Sequence, residues 1–93
     1  MGSVALVLEI TVTRSAAQLL KELQRRGLVI KLDTFEQRRQ ARHWHLGFEK
    51  QPGVLEITDL GDHCVLKVAA NRDGGWATTL ARELAKPARR KRS

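Results

Sequence analysis

The sequence predicts a single α+β domain of order β-α-β-β-β-β-α, with a mainly antiparallel sheet and two helices packed on one face. Three observations predict this fold. The chain has 93 residues, a length that suits one domain. Its apolar fraction of 42% is usual for globular proteins. Apolar residues recur with period two or with helical spacing along most of the chain. We place the domain at residues 1–86 and expect a basic, disordered tail at 87–93.

The first strand is predicted from Val4 to Val12, where the even positions are apolar while Glu9 and Thr11 fall on the other side. A helix follows. Ser15 and Gln18 form the capping-box pattern that begins a helix, and apolar residues then recur at helical spacing. Gly27 suits the position just after a helix end. We therefore expect the first helix at about residues 16–26.

Two more strands are predicted in the middle of the chain. The second follows the helix directly, because apolar residues alternate at 28, 30 and 32. The segment Asp33 to Arg42 has little apolar content and no clear period, so we expect an exposed basic connection there. The third strand has a core face with Trp44, Leu46 and Phe48, and another face with His43, His45 and Gly47.

Strands four and five, at residues 54–60 and 63–69, are predicted to form a hairpin around Gly61-Asp62, a dipeptide suited to a two-residue turn. If Leu60 pairs with His63, apolar side chains lie opposite apolar ones on one face of the hairpin, and oppositely charged side chains lie opposite each other on the other face. The resulting pairs are Ile57 with Leu66, Leu55 with Val68, and Glu56 with Lys67. This agreement supports the register and places Cys64 in the core as an inert thiol.

The last helix is predicted after residues 71–75, with Asp73 or a neighbour as its N-cap, Trp76 as an anchor and Pro87 as its stop. The glycines of the segment favour a strand-to-helix turn over a phosphate cradle, because no P-loop spacing is present. If the segment binds an anion, the residues to suspect are Arg72, Gly74 and Gly75.

Apolar and polar residues alternate along every predicted strand. This pattern implies that both helices cover the apolar face of the sheet and that the other face meets water. The side chains expected on this water-facing side are His43, His45, Glu56, Thr58 and Lys67. This set is the main reason to look for function on the sheet.

The net charge of +7 favours a polyanionic partner. It is uneven: residues 86–93 carry +5, residues 21–42 carry +4, and the remainder sums to −2. We expect a nucleic-acid-binding protein that prefers RNA or single strands and contacts phosphates through the basic connection and the tail. The alternative is that neither segment binds nucleic acid: the tail would only keep the protein soluble, and the basic connection would be an ordinary solvated loop. The residues predicted to bind are Arg38, Arg39, Arg42, His43, His45, Lys67, Arg72, Arg89, Arg90, Lys91 and Arg92.

Two other functions remain open. One is a metal-independent ribonuclease in which His43 and His45 serve as acid and base, Lys67 holds the phosphate, and Glu56 takes the base role instead of a histidine. The other is a protein-interaction module, with a homodimer formed through the edge of the first strand. No cofactor is expected. A metal would need a third ligand beside the two histidines, and no carboxylate obviously converges on them.

The sequence also bears on where in the cell the protein is expected. Its single cysteine, Cys64, allows no intramolecular disulfide and no thiolate cluster. No apolar run approaches a membrane span of about 20 residues, and the first 12 residues lack the features of a signal peptide. We therefore expect a cytoplasmic protein with no membrane partner.

Overall fold

The fold follows the predicted class and element order. In the computed structural model the described residues are 6–38 and 40–86. They form β1 (Leu6–Val12), α1 (Ala16–Arg25), β2 (Val29–Glu36), β3 (Ala41–Gly47), β4 (Leu55–Asp59), β5 (Cys64–Ala69) and α2 (Ala77–Ala85), with a 3-10 turn at Ala70–Arg72. The five strands make one sheet of order β1-β5-β4-β3-β2, and every neighbouring pair is antiparallel.

Helix α1 begins and ends with the caps that its sequence predicts. The Ser15 hydroxyl accepts a hydrogen bond of 3.1 Å from the N–H of Gln18, whose side-chain oxygen accepts one of 3.4 Å from the N–H of Ser15. At the other end Gly27 has a φ of +100°, and the N–H of Leu28 donates to the carbonyl oxygen of Leu23. This is the Schellman arrangement that stops a helix.

The register of the β4–β5 hairpin is also confirmed. The N–H of Leu60 donates a hydrogen bond of 3.0 Å to the carbonyl oxygen of His63. The adjoining pairs are Glu56 with Lys67 and Ile57 with Leu66. Apolar side chains of both strands therefore face the helices, while the charged pair lies on the opposite face of the sheet.

Both helices pack on the same face of the sheet, where they form one core with β1, β3, β4 and β5. Trp44 is 6% exposed and Cys64 is fully buried, so both lie in the core as predicted. Complete burial of a large aliphatic side chain contributes about 1.5–3 kcal/mol. The fully buried aliphatic side chains include Leu19, Leu23, Leu46, Leu55, Ile57, Leu66 and Val68.

The segment Asp33 to Arg42 is where the prediction was wrong. β2 continues to Glu36 and β3 begins at Ala41, so the connection is only residues 37–40. The alternating pattern was weak because β2 is an edge strand with exposed side chains on both faces. A register shift between Ile30 and Leu32 breaks the alternation further.

The edges of the sheet differ in what they display. β2 exposes four large apolar side chains, namely Val29, Ile30, Leu32 and Phe35. β1 lies at the other edge, and the homodimer expected through it stays a prediction. Neither helix in the described part of the chain has the length and apolar content needed to cross a membrane.

The face of the sheet opposite the helices is less open than expected. Thr58 is only 1% exposed, although it was expected to meet water. His43, His45, Glu56 and Lys67 are half-buried. The reason is that side chains of adjacent strands cover one another, as the His43 ring does where its Nδ1 lies 2.8 Å from the Thr58 hydroxyl. We call this side of the sheet the polar face.

Candidate functional site

The strongest cluster of reactive side chains lies at the centre of the polar face, on β3 and β4. His43 and His45 are two residues apart on β3, so their rings project from the same side of the strand. The β3–β4 register pairs His43 with Thr58 and His45 with Glu56. Two rows of paired residues therefore bring two imidazoles, a carboxylate and a hydroxyl together.

Three atoms of this cluster converge. The Nε2 atoms of His43 and His45 lie 3.1 Å apart. The carboxylate Oε1 of Glu56 lies 3.4 Å from Nε2 of His43 and 3.8 Å from Nε2 of His45. The two rings meet edge to face, with centroids 5.0 Å apart and planes inclined by 73°. We call these three residues the His-His-Glu cluster.

The side chains of the cluster are mostly buried, but each keeps a small surface exposed to water. The exposed fraction is 13% for the His43 side chain and 21% for those of His45 and Glu56. Burial lowers the pKa of His45 below its usual value, and the nearby His43 and Arg72 act in the same direction, while the Glu56 carboxylate opposes them. The lowered pKa favours the neutral form of the His45 imidazole.

A hydrogen-bond arrangement without any ligand fits the cluster. In that arrangement one histidine Nε2–H donates to the other Nε2, and the Thr58 hydroxyl donates to Nδ1 of His43. The alternative tautomer of His43 carries its proton on Nδ1 and donates to Thr58, which leaves both Nε2 lone pairs free for a shared ligand. The two arrangements differ in the position of one proton and can be distinguished by spectroscopy.

The geometry bears on the predicted ribonuclease roles. In-line transfer at phosphorus needs the base and the acid on opposite sides of the phosphodiester, each within hydrogen-bond reach of its oxygen. Here the two Nε2 atoms lie only 3.1 Å apart, within hydrogen-bond distance of each other. The ribonuclease assignment stays a prediction, and it requires the rings to separate when RNA binds.

Two further predicted residues lie near the cluster. Lys67 sits directly opposite Glu56 in the β4–β5 register and so shares the polar face with it. Arg72 is exposed in the turn after β5 and is close enough to affect the pKa of His45. His43, His45 and Lys67 therefore share the polar face and Arg72 follows β5 nearby, while their role in binding stays a prediction.

Arg42 lies on the other side of the sheet. It was expected to extend from an exposed connection, but it is part of β3 and projects toward the helix side beside Trp44, with its guanidinium 5.2 Å from the ring centroid. It also forms an ion pair of 2.6 Å with Asp33 of β2. Its charge is thus already matched within the fold.

The remaining predicted binding residues fall outside the sheet faces. Arg38 is exposed in the turn between β2 and β3. Arg39 and the four tail residues lie outside the described residues: Arg89, Arg90, Lys91 and Arg92. With these five excluded, the described part carries 12 basic and 10 acidic side chains, so the folded body is close to neutral.

The glycines before α2 allow the backbone of the turn to adopt a left-handed conformation. Gly74 and Gly75 have φ values of +62° and +83°, which favour glycine. The carbonyl oxygen of Asp73 accepts from the N–H of Ala77, and its carboxylate accepts from the N–H of Thr78 at 3.0 Å. The prediction of Asp73 as the N-cap was wrong, because Trp76 occupies that position without a capping side-chain bond, but Asp73 still occupies donors of the first turn that a phosphate would need.

Comparisons with protein-family models, curated proteins and solved structures found no match. The chemistry of the described residues is therefore the basis for a functional assignment.

Sequence reasoning missed the convergence of Glu56 on the histidine pair. The expectation that no carboxylate converges was wrong, because Glu56 occupies the position beside His45 on the neighbouring strand. The hairpin register did place Glu56 on the face of the histidines. What the sequence lacked was a signal for the β3–β4 register, since those strands are joined by a seven-residue loop rather than a tight turn.

Proposed function

We propose that this is a cytoplasmic, non-catalytic protein that binds nucleic acid, with RNA or single strands preferred, through contacts to phosphates. One observation carries the proposal: Arg38, in the connection between β2 and β3, and Lys86, at the end of α2, lie at the same end of the sheet. In the sequence they are separated by more than forty residues. A phosphate backbone crossing that end of the sheet would meet both.

The strand directions explain this arrangement. Val12 at the end of β1 pairs with Cys64 at the start of β5, and Glu36 at the end of β2 pairs with Ala41 at the start of β3. Residues that follow β1 and β2 therefore emerge at one end of the antiparallel sheet, which we call the basic end. Arg14 follows β1 there, and Arg38 follows β2.

The tail is attached at this end as well. A surface groove is lined by residues 11–14, after β1, and by residues 84–86, at the end of α2. Lys86 therefore lies beside Arg14. The edges of a five-stranded sheet are about 19 Å apart, a distance that a seven-residue segment can span at about 3.3–3.6 Å per residue. Residues 87–93 thus have the reach to join the two sides of the basic end.

The basic side chains that the structure describes at this end are available to a partner. Several basic side chains are engaged in ion pairs: Arg25 and Arg26 with Glu22, Arg26 also with Glu83, and Arg42 with Asp33. Arg14, Arg38 and Lys86 form no ion pair with another described residue. Acids are present too, since Asp59 and Asp62 lie at the same end, so the attraction depends on the tail.

Binding at two salt concentrations tests the proposal. A labelled single-stranded RNA, the DNA of the same sequence, and a duplex of each are titrated with the full chain at 50 and 200 mM salt. We expect tightest binding to the single strands and a marked loss of affinity at the higher salt, because bound phosphates release counterions. Equal, salt-independent affinity for all four probes, or no binding at 50 mM salt, would contradict the proposal.

The ribonuclease alternative has its own supporting observation. The fold places His43, His45, Glu56 and Lys67 together on the polar face, and catalysis would require the two imidazoles, which contact each other, to separate. These are the residues that the alternative requires for acid, base and phosphate contacts. Its test is given with the predictions below.

A further inference from the structure

We infer that the His-His-Glu cluster is a binding site for one divalent cation of the zinc class. This inference is independent of nucleic-acid binding. His43 and His45 would contribute imidazole nitrogens and Glu56 a carboxylate oxygen, from half-buried positions on two adjacent strands. Two histidines with one carboxylate form a donor set that zinc accepts, with a fourth position left for water or another ligand.

The distances within the cluster match such an ion. The three converging atoms are separated by 3.1, 3.4 and 3.8 Å. A tetrahedral ion with bonds of about 2.0–2.1 Å holds its ligand atoms roughly 3.3–3.4 Å apart. A triangle with the observed edges has a central point about 2 Å from every corner, so one zinc ion reaches all three atoms without a change of backbone.

Charge supports the same assignment. Among the described residues, the ion-pair contacts of the Glu56 carboxylate are with the two imidazoles, and no lysine or arginine side chain pairs with it. Lys67 lies opposite Glu56, yet the two form no ion pair, and the carboxylate oxygen is directed toward the imidazoles instead. A divalent cation would neutralise this carboxylate and gain two nitrogen ligands at the same time.

Thr58 supplies the outer partner that zinc-binding histidines normally have. A histidine that binds metal through one nitrogen donates its other ring N–H to a fixed acceptor, which sets its tautomer and orientation. Nδ1 of His43 lies 2.8 Å from the Thr58 hydroxyl, and Thr58 is only 1% exposed. The hydroxyl is thus held in place by the sheet, with its ring partner oriented so that Nε2 faces the site.

Zinc titration of the full chain tests the site. Metal-free protein is titrated with zinc in competition with a chromophoric chelator. We expect one ion per chain, and at least a 100-fold loss of affinity in His45→Ala and in Glu56→Gln, which is nearly isosteric. The matched control is His63→Ala, because His63 is the remaining histidine and pairs with Asp62 outside the cluster. Its affinity should stay within about twofold of the wild type.

One further variant and one measurement on the wild-type protein, which does not depend on the folding of any variant, complete the test. Thr58→Val removes only the outer hydroxyl and should weaken zinc binding about 10- to 100-fold. In the wild-type protein, long-range nitrogen–proton spectra should show zinc moving the His43 ring proton to Nδ1 and shifting both Nε2 resonances. Binding that is absent at equimolar zinc, or that His45→Ala and Glu56→Gln leave unchanged, overturns the site. Unshifted Nε2 resonances on zinc addition overturn it as well.

Discussion

The indole Nε1 of Trp76 donates a hydrogen bond of 2.8 Å to the carbonyl oxygen of Pro52. This bond joins the start of α2 to the loop between β3 and β4. Next to it the backbone of Gly74 packs against that of Gly53, and the Trp76 ring meets Phe48 edge to face with centroids 4.9 Å apart. The position of α2 on the sheet therefore depends on close approach of two loops.

Gly74→Ala should destabilise the protein by at least about 3 kcal/mol. A Cβ there would lie 2.8 Å from the Cα of Gly53 and closer still to the carbonyl oxygen of Pro52. Gly75→Ala is the matched control, since its φ is also positive but nothing lies within 4 Å of the added Cβ. The control should cost only about 1–2 kcal/mol for the left-handed backbone. Urea unfolding compares the two, and equal losses would contradict the close packing at Gly74.

Removal of residues 87–93 should weaken binding to single-stranded RNA and flatten its salt dependence. The deletion removes four basic side chains. If each contacts a phosphate, the slope of log affinity against log salt should fall by as much as about 3 for a single strand. Fluorescence anisotropy at several salt concentrations measures both quantities. An unchanged slope would remove the tail from the binding surface.

Arg38→Ala should weaken the same binding more than Lys50→Ala does. Both residues are exposed in connections of the sheet, but Arg38 lies at the basic end and Lys50 lies in the β3–β4 loop at the opposite end. One lost phosphate contact should lower the salt slope by about 0.7 for a single strand. The same anisotropy titrations provide the measurement. Equal effects of the two substitutions would argue for non-specific attraction without a preferred end.

Purified protein should leave RNA intact in the presence of a chelator. The two Nε2 atoms of the histidine pair contact each other, so they do not flank a phosphodiester as acid and base must. Incubation with several RNAs followed by gel analysis checks this expectation. Cleavage that disappears in folded His45→Ala, and persists in His63→Ala, would instead establish the metal-independent ribonuclease.

Cys64 should resist alkylation in the folded protein at pH 8. Burial, with a smaller contribution from Asp59, raises the pKa of its thiol to about 11, against 9.0 for an unperturbed thiol. Iodoacetamide should modify it rapidly only in denaturant, as mass spectrometry would show. The thiol ionises at a lower pH in the unfolded chain than in the folded protein. Burial of the neutral thiol therefore contributes fully to the free energy of unfolding below about pH 9, and this contribution is lost as the pH rises toward 11. Fast alkylation of the native protein would place the thiol outside the core.

The sequence by itself determined the local features of this protein. The capping box at Ser15, the helix end at Gly27 and the hairpin around Gly61 each depend on contacts between residues near one another in the chain. Short-range contacts of this kind are encoded in the spacing of a few side chains, so periodicity and turn chemistry were enough to predict them. The same reasoning placed Trp44 and Cys64 in the core.

Tertiary structure alone decided which distant residues meet. The neighbour of β3, its register and the edges of the sheet depend on long-range packing, which no local pattern specifies. Those choices placed Glu56 beside the histidines, sent Arg42 to the helix side, and left β2 exposed as an edge strand. They also brought Arg14, Arg38 and Lys86 to one end of the sheet. The candidate cation site and the basic end are both products of strand order.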